Sequence, residues 1–441
     1  MTTFWCEHAV LADGVRRAVR VRVESGRVVS VTPDAPAGTP DVVLRGLVLP
    51  GLANAHSHAF HRVLRGRTHT GRGSFWTWRE QMYDVARHLD PDRYLALARA
   101  VFAEMVLAGY TVVGEFHYLH HAPGGQRYAE PNAMGEALLE AARDAGLRLT
   151  LLDTLYLRGG LTTSGHVPLD EVQQRFSDGS VEAWSQRATA MADGPMARVG
   201  AAVHSVRAVP REDLAAVAAA TAGSAAPLHV HLSEQPGENE ACAAVHGCTP
   251  TALLDDAGLL RPTTTAVHAT HLTDDDVARL GASGTAVAFC PTTERDLADG
   301  IGPARRLADA GVPIVLGSDQ HAVVDPFEEV RGLEMHERLV SLERGRFTSA
   351  ELVVAATADG YRSLGWPDGG VLTDGGLADL VAVRLDSPRT AGSDPAQALL
   401  TATSADVTDV VVGGEPVVTG GRHRLGDVGG LLAPAIAEVG R

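Results

Sequence analysis

The sequence predicts an α/β protein: a (β/α)₈ barrel that carries a small β-sandwich domain built from both termini. Three observations predict it. The middle of the chain alternates apolar strand-like runs with helix-like stretches. The two ends read as short strands joined by turns. Polar residues, histidines above all, gather where the central runs end. Alternating strands and helices imply a parallel sheet, and eight such units over about 300 residues fit a closed barrel.

The elements follow in chain order. Val19-Arg20-Val21-Arg22-Val23 alternates, and Gly26 to Val31 follows a turn, as short strands do. The candidate barrel strands are Leu47 to Asn54, Thr111 to Phe116, Arg148 to Leu155, Val199 to Val203, Leu228 to Leu232, Thr265 to His268, Ala286 to Phe289 and Ile314 to Leu316. Tyr94 to Leu107, Met134 to Ala145 and the Ala-rich Leu214 to Ala222 read as helices between them. Near the C-terminus, Leu380 to Val383 and Val410 to Val412 are strand-like, and Gly413-Gly414 marks a hairpin turn. The expected division is residues 1–48 with 376–441 for the terminal domain, and 49–375 for the barrel.

Bulk properties narrow the function. The chain has 441 residues, 45% of them hydrophobic, so it can bury a sizeable core. A formal net charge of -16 argues against nucleic acid or an anionic membrane as partner. Four scattered cysteines at this length suggest a reducing, cytoplasmic setting and no disulfide framework. No signal peptide or membrane span is evident.

Active sites of this architecture form at the C-terminal ends of the strands. The first candidate strand leads into His56-Ser57-His58. Residues i and i+2 of a strand point the same way, so His56 and His58 can grip one ion. His231 is a further ligand candidate, with His229 as the competing choice and a buried structural histidine as its simpler reading. Asp319 follows the last strand, where it can bind the ion and accept a proton. Three imidazoles and a carboxylate suit one catalytic divalent cation, with Zn²⁺ favoured and Fe²⁺ or Mn²⁺ compatible. Glu234 lies three residues past His231, within reach of a reacting centre. His268 is a second acid/base candidate, while His271 is read as structural. The fourth strand ends in His204 and Arg207, with no lysine to bridge a second metal.

These residues, in this order, resemble the amidohydrolase superfamily. The likeness spans nearly the whole chain, from Leu49-Pro50-Gly51-Leu52-Ala53-Asn54-Ala55-His56-Ser57-His58 to Gly376-Leu377-Ala378-Asp379-Leu380. A narrower likeness is to the N-formimidoyl-L-glutamate deiminases. It rests on His56 to Arg62, Ser74 to Tyr83, His204 to Arg207, His268 to His271 and Cys290-Pro291-Thr292-Thr293-Glu294. That family hydrolyses a formimidoyl C=NH to a formyl group and releases ammonia, in histidine degradation. The resemblance implies a metal on His56, His58, His231 and Asp319, proton transfer by Glu234 and His268, and substrate contacts from Arg79, Tyr118, His204 and Arg207. It also implies a homodimer. His61 stands where that family usually has Gln, and is the matching substrate contact here. Glu294-Arg295-Asp296 is more charged than the family's usual stretch.

The implied substrate is a small dicarboxylate. Arg79 and Arg207 offer fork-shaped donors suited to carboxylates, and Tyr118 and His204 add directional ones. Phe75, Trp76, Trp78 and Tyr83 read as packing within a long loop that would hold Arg79 over the site.

Overall fold

The computed structural model describes residues 1–39, 41–68, 73 and 75–440, the side chains of Phe75 and Trp76 excepted. Eight parallel strands form the central sheet: Leu52–Ser57, Tyr110–His117, Arg148–Leu155, Ala197–Val203, Leu228–Leu232, Thr264–His268, Ala286–Phe289 and Ile314–Leu316. They pair in chain order. The last meets the first through a parallel bridge between Ser57 and Asp319. There the amides of Ser318 and Asp319 donate to the His56 carbonyl, and the His58 amide donates to the Asp319 carbonyl. Closure therefore sets the two ends of the predicted ligand set side by side.

The helices between strands start and stop where local chemistry dictates. Pro91–Ala108 begins with Asp90 accepting from the Arg93 amide and ends at Gly109 in a left-handed conformation. Ala133–Ala145 ends at Gly146 in the same way. Arg211–Ala220 covers most of the Ala-rich stretch.

The structure corrects two local expectations. The run Leu47 to Asn54 is not one barrel strand. Val42–Pro50 belongs to the terminal sheet, and the barrel strand starts at Leu52. The chain passes between the two at Gly51, where a Cβ would lie 2.3 Å from Thr111 Oγ1 and 2.5 Å from the Tyr361 hydroxyl. The aromatic stretch is not a loop either. Phe75–Arg87 is a helix, and Trp78, Met82, Val85 and Ala86 are its buried stripe at i, i+4, i+7 and i+8. Ser74 and the side chains of Phe75 and Trp76 lie outside the described residues.

Both termini meet in a second eight-stranded sheet. Thr2–Leu11 runs parallel to Val42–Pro50 and antiparallel to Gly14–Glu24, while Leu380–Val383 pairs antiparallel with Val42–Pro50. Phe4, Val21, Val23, Leu44, Leu380 and Val411 share one core, and the Ala378 amide donates to the Gly26 carbonyl. The sheet thus folds back over its own apolar face. Gly413 and Gly414, both at positive φ, form the expected hairpin turn. A further helix, Val428–Val439, packs on Pro91–Ala108. No helix among the described residues is long and apolar enough to cross a membrane.

Candidate metal and active site

His56 and Ser57 end the first barrel strand, and His58 is the next residue. His231 lies on the fifth strand and Asp319 three residues beyond the eighth. Potential ligand atoms of His56, His58, His231 and Asp319 lie within 4.8 Å of one another, all four residues buried. Nε2 of His56 is 3.3 Å and Nε2 of His58 3.4 Å from Asp319 Oδ1. Nε2 of His231 is 3.1 Å from Nε2 of His56.

The chemistry of this set fits a cation. Nδ1 of His58 lies 3.0 Å from the Phe116 carbonyl and Nδ1 of His231 2.9 Å from the His204 carbonyl. A carbonyl only accepts, so both Nδ1 atoms carry the proton and both Nε2 atoms keep a lone pair. Burial, with the neighbouring imidazoles, drives His231 well below the usual histidine range. Burial also takes His56 down to about 3, against the pull of Asp319. Burial opposes ionisation of Asp319, but the His56 hydrogen bond and the nearby imidazoles hold its carboxyl well below the ordinary value. Neutral imidazoles around an ionised carboxylate are the ligand forms that a divalent metal needs.

The competing histidine settles elsewhere. His229 is two residues down the same strand, and its Nε2 is 3.1 Å from the Ser363 carbonyl. Burial lowers it to about 4. His271 Nε2 is 2.8 Å from the Asp299 carbonyl. Both fit the structural roles expected of them.

A cavity opens over His58, His231 and Asp319 of the candidate ligand set. Glu234, His268, His61, Arg79, Tyr118, His204 and Arg207 all line it, so every predicted site residue except His56 faces this one space, and His56 lies beneath it. Arg207 has a partner that the sequence did not suggest. Its guanidinium is 2.6 Å from Glu234 Oε2 and 3.4 Å from Glu238 Oε2. His268 Nε2 is 3.9 Å from Glu234 and 4.0 Å from Asp319. Burial opposes its charge, but the Glu294 hydrogen bond and the Glu234 and Asp319 carboxylates push it up to about 10. His61 Nε2 is 2.9 Å from the Tyr118 hydroxyl. Arg79 lies 5.2 Å over the Tyr83 ring.

Several residues of the site escaped the sequence reading. Glu115 is fully buried behind Ser57, accepting from the Ser57 hydroxyl and the Ala59 amide at 2.6 Å each. A lone acid in the apolar strand Tyr110–His117 was its signal. Tyr156 and Phe176 complete the aromatic wall, and neither stood in a recognisable pattern. Among the described residues a second buried group, His117, His120 and Asp153, also has metal-like spacing. There Arg187 already donates to both Asp153 oxygens at 2.7 and 2.8 Å, so a guanidinium supplies the positive charge.

The model of the amidohydrolase family matches residues 47–417. This chain belongs to the amidohydrolase family. It is 37% identical to a formimidoylglutamate deiminase of Pseudomonas aeruginosa over 96% of each chain. It is 31% identical to an 8-oxoguanine deaminase of the same organism, covering 96% of this chain and 94% of the other. A crystal structure of an amidohydrolase from Brucella melitensis superposes with a TM-score of 0.90 at 31% identity over the whole of both chains. The family and these relatives make the chain a hydrolase of C–N bonds, and members of the family typically bind a divalent metal.

Proposed function

We propose that the chain catalyses hydrolytic deimination of N-formimidoyl-L-glutamate to N-formyl-L-glutamate and ammonia. The observation that carries this reading is the lining of one cavity, where His58, His231, Asp319, Glu234 and His268 stand together with Arg79, Arg207, Tyr118, His204 and His61. A substrate with an amidine head and two carboxylates matches both sets. Two guanidiniums in a buried site suit carboxylates better than a neutral base. The 37% identity to a formimidoylglutamate deiminase points the same way.

His56, His58, His231 and Asp319 would hold one divalent cation, with zinc the best match to three imidazoles and a carboxylate. Such a cation lowers the pKa of water toward about 7 and polarises the bond under attack. The residues then divide the proton work. Water adds to the formimidoyl carbon. Glu234 takes one of its protons and delivers it to the imino nitrogen. His268 stabilises charge on the tetrahedral carbon's oxygen. Asp319 passes the second proton to the departing nitrogen, the C–N bond breaks, and ammonia leaves. Arg79, Tyr118, His204, Arg207 and His61 hold the carboxylates.

The test is ammonia release by the zinc-loaded enzyme from formimidoylglutamate, formimidoylaspartate, a guanidino analogue and 8-oxoguanine. The expected result is the highest kcat/KM on formimidoylglutamate. Preference for the purine would reassign the aromatic wall to stacking a base and overturn the dicarboxylate reading. Glu234→Gln is expected to keep its metal and lose turnover by a factor of roughly 10² to 10⁴; a substantial retained rate would take Glu234 out of the proton path.

A further inference from the structure

Glu294 has no part in the reaction above, yet it touches a residue that does. It lies in the first turn of the short helix Pro291–Asp296, which follows the seventh barrel strand, and it is 3% exposed. Its Oε1 accepts the Cys290 amide at 2.8 Å and sits 3.4 Å from Nδ1 of His268. The amide ties the carboxylate to the backbone, so it is a fixed point for the ring.

The other side of the ring points inward. Among the described residues, Nε2 of His268 has no hydrogen-bond partner. It faces Glu234 at 3.9 Å and Asp319 at 4.0 Å. The backbone cooperates: His268 and Ala269 both have positive φ, 70° and 47°, a conformation that costs energy in residues other than glycine. The Ala269 amide donates to the Leu232 carbonyl and holds the bend. A strained strand end and a buried carboxylate thus converge on one ring orientation.

We propose that Glu294 is a positioning residue: by accepting from Nδ1–H of His268 it fixes the ring's orientation and aims Nε2 at the reacting centre. A histidine that must meet a developing charge needs this kind of second partner, as metal-bound histidines do. The inference rests on the hydrolytic reading of the site, and it does not depend on which amidine or amine is the substrate.

The experiment compares Glu294→Gln, Glu294→Asp, His268→Asn and the double variant Glu294→Gln/His268→Asn as zinc-loaded enzymes. They are assayed on whichever substrate the wild type turns over best. Glu294→Gln is expected to bind one zinc and keep its KM while kcat falls about tenfold or more, and Glu294→Asp to recover part of the loss. In the His268→Asn background, adding Glu294→Gln should change kcat less than about twofold, because Glu294 acts only through that ring. A low-field proton NMR resonance lost in His268→Asn should shift in Glu294→Gln. A wild-type kcat in Glu294→Gln, an equal fall in both backgrounds, or an unmoved resonance would overturn the proposal. The resonance is read without any substrate, so a wrong substrate assignment leaves that arm intact.

Discussion

At Asp319 burial and charge pull in opposite directions, and His56, His268 and His58 decide the outcome. The carboxylate is 5% exposed yet held ionised by His56 and His58 beside it. Asp319→Asn preserves shape and removes the charge. It is expected to leave the protein short of metal after zinc loading and to cut turnover at least about a hundredfold, with metal analysis and kcat measured on the same sample. Full metal content with near-normal turnover would refute both roles. Arg207 stands between two buried carboxylates and the substrate space. A residue that only bound substrate would move KM. Arg207→Met removes the partner of Glu234 too, and breaking a buried pair costs roughly 3–5 kcal/mol. Steady-state kinetics should therefore show KM rising and kcat falling together. A rise in KM alone would place the Glu234 pair outside catalysis.

Among the elements, the turn after the first barrel strand depends on one buried acid. Glu115 accepts from Ser57, from the Ala59 amide and from Tyr94, with no cation among these partners. Burial pushes its carboxyl from 4.5 up to about 8. The folded protein therefore binds a proton here that the unfolded chain has lost, so this group's contribution falls as pH rises from 4.5 to about 8. Glu115→Gln cannot ionise, and a plot of Tm against pH should be flatter for it over that window. Parallel curves would show that Glu115 does not ionise there. The same element shows how far the sequence could be read. The strand ends and the candidate metal ligands were legible because strand alternation and the HxH spacing are short-range patterns. The division of Leu47 to Asn54 at Gly51 was not, since it follows from how closely Thr111, Tyr361 and Asp379 approach that residue. The pairing of Arg207 with Glu234 and the contact of Glu294 with His268 join different strands, and only the closed barrel brings them together.

Across the whole molecule, the candidate metal would tie the first, fifth and eighth barrel strands at one point. Without a cation, Nε2 of His56 has one proton at most for two buried acceptors, Nε2 of His231 at 3.1 Å and Asp319 Oδ1 at 3.3 Å, and a buried acceptor left short of a donor is costly. The ion is thus expected to stabilise the closed barrel as well as to serve chemistry. A ligand that binds only the folded state adds about 2.7 kcal/mol at a free concentration of 100 times its Kd. Removing metal with a chelator should therefore lower Tm by several degrees, and added zinc should restore both Tm and turnover. The Tm of Asp319→Asn should respond far less to either treatment, which separates binding at this site from zinc binding elsewhere. Equal Tm values for the metal-free and zinc-loaded wild type, with activity still dependent on zinc, would show that the barrel closes without help from the ion. The backbone bonds of His56 and His58 to Ser318 and Asp319, with the Asn54 side chain on Ser318, would then hold the seam, and the ion would serve the chemistry alone.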